Sequence, residues 1–333
     1  MDVNNHNHTE GRRRWVVAAL IGAGAPWAWA QGRDAQPWPQ RPIKLIVGFP
    51  PGSSPDTMAR TIAEPLAERL GQPVVVDNRP GAGGNIAADA VARATDGHTL
   101  GLMINGNLTI AKILNPATPY DPLTDLAPVS LLATAPLVLC AAPTVVARGA
   151  AVLQAAREAG GQWNYGSPGV GTVAHIGMEM IQARAGWRAV HVPFPGNPQV
   201  IQAMLRGEVQ LALLPPGLAL QQSSAGKLQA VALTSAGRST LAPEVPTLAE
   251  LGLAGVQLEI WNAVAAPRAM PAAHIERLAT ALAAILREPA VRDKLFQQGW
   301  QVAGTAPQGL ARRIQSDTAR MREVIERLGL RVG

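Results

Sequence analysis

The feature that most limits the fold of this chain is a unit written several times over: a short apolar β-rich run, a glycine- or proline-containing loop, then apolar residues at helical spacing. Ile43 to Phe49 is closed by Pro50-Pro51-Gly52, after which Met58, Ile62, Leu66 and Leu70 recur on one helix face. Val74 to Asp77, Gly81 to Gly84 and Ile86 to Ala94 repeat the unit, and Thr99 to Ile104 supplies a third strand. Repeated strand-helix units specify a parallel sheet. Pro65 falls inside the first helix and is expected to kink or interrupt it, because its ring removes a backbone donor and crowds the previous turn.

A second series begins near Val138. It has a strand to Ala141, a helix over Ala147 to Glu158, a strand at Trp163 to Gly166 and a helix from Thr172 to Ala185. A strand at Ala189 to Val192, a helix from Pro198 to Gly207, and strands at Val209 to Leu214 and Leu228 to Thr234 complete it. Two amphipathic helices follow, one carrying Ile275, Leu278, Leu282 and Ile285, the other Leu310, Ile314, Met321, Ile325 and Leu328; both are expected to return to the first lobe. At 333 residues, 47% hydrophobic and 16% charged, the chain exceeds what one core usually organises. The expected fold class is therefore α/β with two lobes: residues 31–134 and 236–333 form the first, and residues 135–235 the second. Crossing segments near Leu131 to Leu137 and Leu233 to Arg238 suit hinge closure over a ligand.

The N-terminus bears on compartment. Arg12-Arg13-Arg14, an apolar run from Trp15 to Ala25 and the small residues of Ala28-Trp29-Ala30 make residues 1–30 a signal peptide cleaved after Ala30, which places the mature chain in the periplasm. The basic start fits both a twin-arginine and a general secretory signal. The apolar run is shorter than the roughly 20 residues a membrane-spanning helix needs, so no stable membrane insertion is expected. Removing the leader lowers the formal net charge from +6 to +5, and the remaining basic residues form no run and no aromatic-interleaved groove, which argues against nucleic acid. Cys140 is the only cysteine, which excludes an internal disulfide and a cysteine-rich zinc cage.

Ligands of open α/β sheets bind where loops leave the carboxyl ends of the strands and helix N-termini present unpaired N–H groups. Four loops fit. In Pro50 to Thr57, Ser54 caps the helix, Pro55 suits its first position and Asp56 complements its dipole, which by itself is equally explained by a well-capped helix. In Asn78 to Asn85 three glycines permit close backbone approach; the run is neither a dinucleotide fingerprint nor a P-loop, so no nucleotide, other cofactor or metal is expected. Gly166 to Thr172 brings the hydroxyls of Ser167 and Thr172, with His175 one turn on, a residue more often structural than a ligand. His191 to Asn197 offers Phe194 as a flat wall or as core.

These loops also carry a family resemblance. Arg41-Pro42-Ile43-Lys44-Leu45-Ile46-Val47 with Phe49-Pro50-Pro51-Gly52, Gln72-Pro73-Val74-Val75-Val76, Asp96-Gly97-His98-Thr99-Leu100 and Tyr120-Asp121-Pro122 resemble the Bug family, the periplasmic substrate-binding proteins of tripartite tricarboxylate transporters. Asn164-Tyr165-Gly166-Ser167, His191-Val192-Pro193-Phe194, Ala225-Gly226-Lys227-Leu228 and Pro243-Glu244-Val245-Pro246-Thr247 extend the likeness along the mature chain. The resemblance implies a two-lobe type II periplasmic-binding fold that closes on a small carboxylic acid and serves membrane transporter subunits. It also implies ligand contacts at Phe49, Ser53, Ser54, Asp56, Thr57, Ala82, Gly83, Asn105, Ser167, Gly171, Thr172, His175 and Phe194.

Three departures matter. Serines stand at 53 and 54 where the family has glycines, Leu214 stands where it has an acidic residue, and Phe194-Pro195-Gly196 replaces Tyr-Lys-Gly. Loss of the acid implies a ligand without an amino group. A secreted serine hydrolase is the enzymatic alternative, with Ser53, Asp56, His175 and His191 as ingredients, but no Gly-x-Ser-x-Gly elbow supports it because Tyr165 stands two before Ser167. A receptor that presents its ligand to a membrane sensor fits the same sequence. A transcription regulator of similar architecture would need a helix-turn-helix where this chain has its leader.

Overall fold

The computed structural model describes residues 38–331, so the expected leader and its cleavage site lie outside the described residues. In chain order the elements are β1 (Ile43–Val47), α1 (Ser54–Leu70), β2 (Val74–Asn78), α2 (Asn85–Ala92), β3 (Thr99–Ile104), α3 (Ala111–Leu114), β4 (Leu126–Pro136) and β5 (Val138–Ala141). They continue with α4 (Ala151–Glu158), β6 (Asn164–Ser167), α5 (Val173–Ala185), β7 (Val190–Pro193), α6 (Asn197–Leu205), β8 (Leu211–Leu214), α7 (Pro216–Ser224) and β9 (Gln229–Leu233). The last are β10 (Glu259–Pro267), α8 (Ala272–Ile285), α9 (Pro289–Gln297), β11 (Gln301–Val302) and α10 (Pro307–Leu328).

The strands form two sheets, ordered β11-β4-β10-β3-β1-β2 and β7-β6-β8-β5-β9. Both are mixed rather than parallel. β1 pairs in parallel with β2 and β3, and β6 with β7 and β8, but β10 runs antiparallel to β3 and β4, and β5 antiparallel to β8 and β9. The parallel expectation holds for the strand-helix units and fails at the strands that carry the chain from one sheet to the other. These arrive from the opposite side and so run against their neighbours.

Both faces of each sheet are buried, and the pleat sorts the side chains. Ile43, Leu45 and Val47 of β1 join the core with Met58, Ile62 and Leu66 of α1, whereas Ile46 joins Ala88 and Val91 of α2 on the other face. In the second sheet Leu139 packs with Val152 and Ile181, and Val138 with Val200 and Met204. α1 runs through Pro65 without interruption; Leu66 and Leu70 beyond it stay in the core, and their burial offsets the missing hydrogen bond.

The two crossings meet at Thr234. Its hydroxyl accepts from the Leu137 N–H (2.8 Å) and donates to the Leu258 carbonyl (2.7 Å), while its own N–H and carbonyl bond Leu137 and Leu258. Between β9 and β10, Ala242 and Val245 pack with the second sheet's cluster around Val138, and Leu248, Leu253, Val256 and Leu258 with that around Leu139. α8 returns to the first sheet, but α10 bridges both: Leu310 and Ile314 pack below the first sheet, Met321 and Ile325 below the second.

Candidate ligand-binding site

The strand order locates the site. In each sheet the first strand of the parallel set lies between the second and third, so the connections from β1 and β3, and from β6 and β8, diverge and leave a crevice at the strands' carboxyl ends. A cavity of about 50 Å3 lies there. Phe49 and Ser54 enter it from the loop after β1, Ile104 and Asn105 from the end of β3, Pro168 and Thr172 from the loop after β6, and Leu213 and Pro215 from β8. Asn197, Ile260, Asn262 and Trp300 complete most of the wall, and no acidic or basic side chain lines it.

What the wall offers is neutral hydrogen-bonding capacity without protein partners. Ser54 Oγ, Asn105 Oδ1, Asn197 Oδ1 and Asn262 Nδ2 are buried and unpartnered, as is Ser53 Oγ beside them. A buried polar atom with no partner costs roughly 1–3 kcal/mol, which a hydrogen bond to a polar ligand or to water offsets. α1 and α5 start at the cavity, and their first-turn N–H groups have no intrahelical acceptor and carry the positive end of the helix dipole.

Asp56 serves the loop instead. Its carboxylate accepts from the Gly52 N–H (2.9 Å), Arg60 Nε (3.0 and 3.1 Å) and Asn78 Nδ2 (2.9 Å), and the same Asn78 amide donates to the Phe49 carbonyl. Burial alone raises its pKa, but the bonds from Arg60, Gly52 and Asn78 and the Arg60 charge outweigh it and hold the carboxyl below the usual range. The turn that presents Ser53 and Ser54 is thus fixed by an ionised clamp.

Of the other residues expected from sequence, Ala82, Gly83, Gly171 and Phe194 line a second cavity of about 560 Å3, and Thr57 a third, of about 460 Å3. The second cavity is walled by the loops after β2 and β7, the outer ones in the strand order, together with Gly169 to Gly171 of the loop after β6, which has the second cavity and the inner one on its two sides. Ser53, Asp56, Ser167 and His175 line none of these three. Asn262 and Trp300 escape a reading of loops. Asn262 left a trace, as the one polar side chain in the apolar run Trp261 to Ala266; Trp300 left none.

The two halves of the crevice touch through glycines. A Cβ on Gly83 would lie 2.7 Å from the Val170 carbonyl oxygen, one on Gly106 2.9 Å from that of Gly171, and one on Gly196 2.7 Å from the Pro50 ring. Only hydrogen side chains allow backbones this close.

Against known proteins, the model of a family described as tripartite tricarboxylate transporter family receptor matches residues 58–330. The chain belongs to this family. BugT of Bordetella pertussis is 36% identical over 287 residues, spanning 85% of this chain and 86% of that protein. The structure of the periplasmic binding protein BugD, 28% identical, covers 88% of this chain and 99% of its own with a TM-score of 0.85. R. palustris Rpa4515 with adipate, 31% identical, covers 89% and 99% with a TM-score of 0.86. The Bug-family likeness and the two-lobe periplasmic-binding fold therefore hold, and the protein is a solute-binding receptor. Among the described residues no helix is long and apolar enough to cross a membrane.

In this receptor the hydrolase ingredients are not assembled. Asp56 is held within its own loop, and Ser53 Oγ has no partner. His175 accepts at Nδ1 from the Gly171 N–H (3.3 Å) and stacks on His191, with ring centroids 4.2 Å apart. His191 stacks in turn on Tyr165, and its Nε2 lies 2.6 Å from Ser167 Oγ. Burial lowers the pKa of both histidines, that of His191 to about 3 with the neighbouring His175 charge as a second cause. The pair is a neutral stack that shapes the loop after β6.

Proposed function

We propose that the protein is an exported receptor that captures a small carboxylic acid lacking an amino group and delivers it to the membrane subunits of a tripartite tricarboxylate-type transporter. One observation carries the reading: the crevice at both switch points is lined by buried, unpartnered neutral polar groups and by the starts of two helices, with no charged side chain. A carboxylate leaving water needs donors, which Ser54 Oγ, Asn262 Nδ2 and the helix-start N–H groups supply while Asn105 Oδ1 and Asn197 Oδ1 can only accept, and hydrogen bonds to a charged group are worth roughly 1.5–3 kcal/mol each. An ammonium would meet no anion there, and a buried unpaired charge costs several kcal/mol. The adipate held by Rpa4515 supports the class.

We place the lobe boundaries at the crossings around Leu137 and Leu258. The second lies downstream of the boundary at residue 235 read from sequence, because residues 242–258 contribute to the cores of the second sheet. Calorimetry with succinate, adipate and benzoate against aspartate and glutamate tests the function. One-to-one binding of simple acids, and none of the amino acids, is expected; the reverse pattern would overturn the reading.

A further inference from the structure

The ligand cavity is too small to contain more than the head of an organic acid. At about 50 Å3 it has room for about three or four waters, each needing roughly 10–15 Å3, which matches a carboxylate head and little more. The rest of a ligand must leave through a wall that the cavity shares with a neighbour. Two such walls exist among the cavities described. Asn105 and Val173 separate it from a space of about 200 Å3 near the crossings, and Ser54, Pro215 and Trp300 from the space of about 460 Å3 between the start of α1, α7 and the turn after α9.

The first exit is lined by charges that balance one another. Its far side holds Glu259 and Asp317, both bonded by the Arg313 guanidinium at 3.1 and 2.8 Å, and Arg320, which donates to the Gln257 carbonyl (2.7 Å), so a ligand chain passing there would displace an existing charge network. Asn105 Nδ2 also donates to the Glu259 carbonyl (2.9 Å), which ties that wall in place. The second exit differs in each respect. Its far space has no charged side chain, the exposed residues Gln221 and Gln297 line it, and Ser54 Oγ, on a residue only 8% exposed, stands unpartnered on the shared wall. Trp300, 3% exposed, faces Ser54 as the apolar side of the passage. Both halves of the molecule meet at this edge, where the Gly217 N–H donates to the Gln298 carbonyl (3.0 Å).

We infer that the receptor takes an elongated carboxylate: the acid head lies in the inner cavity, the chain passes between Ser54 and Trp300, and a polar far end meets the amides of Gln221 and Gln297. The inference rests on the receptor reading and adds to it a ligand length and a second subsite. Calorimetry on the mature protein with succinate, adipate and 6-hydroxyhexanoate tests it, alongside the double variant Gln221→Ala/Gln297→Ala, whose changes lie on exposed positions. With one or two additional hydrogen bonds, the two six-carbon acids are expected to bind roughly tenfold tighter than succinate. The double variant is expected to abolish that advantage and leave the succinate Kd unchanged. Succinate binding that does not strengthen with length, or a double variant that weakens short and long acids alike, overturns the inference while the receptor reading stands. Absence of binding by every acid overturns both.

Discussion

Replacing Gly106 with alanine isolates the closeness of the two lobes from every other property of the chain. Gly106 opens a wide helical turn, Gly106–Ile110, ahead of α3 and is not in the left-handed region, so alanine is locally tolerated, and the gain from restricting the unfolded chain is about 0.4–1 kcal/mol. The added Cβ would lie 2.9 Å from the Gly171 carbonyl oxygen across the crevice, where ordinary contact begins at 3.4 Å; the other near atoms are the mobile end of Ile104 at 3.2 Å and Thr172 Cα at 3.4 Å. Overpacking of this kind costs roughly 1–3 kcal/mol. Separation of the lobes relieves it, so the penalty falls on the closed form and the apparent Kd is expected to rise about 5- to 150-fold while Tm is unchanged or slightly higher. Calorimetry gives the Kd, thermal melting the Tm, and small-angle scattering the failure to compact on ligand addition. Gly237→Ala, with nothing within 4 Å and no positive φ, is the control expected to change none of these. Unaltered affinity in Gly106→Ala would refute the idea that binding requires this contact, and a Tm that falls with affinity would show the clash to be within the fold.

Ser54→Ala is expected to weaken a carboxylate ligand roughly 13- to 160-fold, the worth of one hydrogen bond to a charged group, and leave the melting temperature of the free protein equal or higher, because the hydroxyl has no partner to lose; a fall in free-protein stability would contradict this. Asp56→Asn is expected to cost about 1.5–3 kcal/mol in urea unfolding at neutral pH. The folded pKa of Asp56 is depressed, so its stabilisation is complete above the unfolded value of about 3.9 and is lost as pH falls through the lower folded value. The wild type should therefore lose stability below about pH 4 more steeply than the asparagine variant, and equal slopes would sink the clamp. His191, neutral in the fold with a pKa near 3, stabilises fully above the free-histidine value of about 6.5 and progressively less as pH falls from there toward 3. His191→Phe keeps a flat ring against Tyr165 and His175 but cannot take a proton, so its unfolding midpoint should drop less than that of the wild type between about pH 6.5 and 5; parallel decline would rule the titration out.

The turn from Phe49 to Asp56 was legible because strand, proline-glycine loop and helix start follow one another in sequence, but the cap was not: the helix begins at Ser54 itself, with Ser53 at the N-cap, and neither serine hydroxyl caps it. The loop after β6 was legible from the same contiguity. What the residues could not state was strand order. That order sends the loops after β1, β3, β6 and β8 to one crevice and leaves Ala82, Gly83 and Phe194, equally glycine- and aromatic-marked, to a different cavity. Asn262 became a site residue only because β10 pairs with β3 from far along the chain, with Asn262 opposite Ile104. Asp56 read from sequence as a complement to the helix dipole, with a ligand contact implied only by the family resemblance, and the side chains of Arg60 and Asn78 show its oxygens engaged within the loop. The mixed sheets escaped notice because the strands that break the parallel pattern, β4, β5 and β10, are the ones tied to the crossings between lobes.

A crystal structure of the mature receptor closed on adipate tests the central claim most directly. The acid head is expected in the inner cavity, with one carboxylate within hydrogen-bonding distance of Ser54 Oγ and of first-turn amides of α1 or α5, and no charged side chain in contact with it. A carboxylate bound instead in the larger cavity beside Gly83 and Phe194, or paired with an arginine or lysine, would contradict the account.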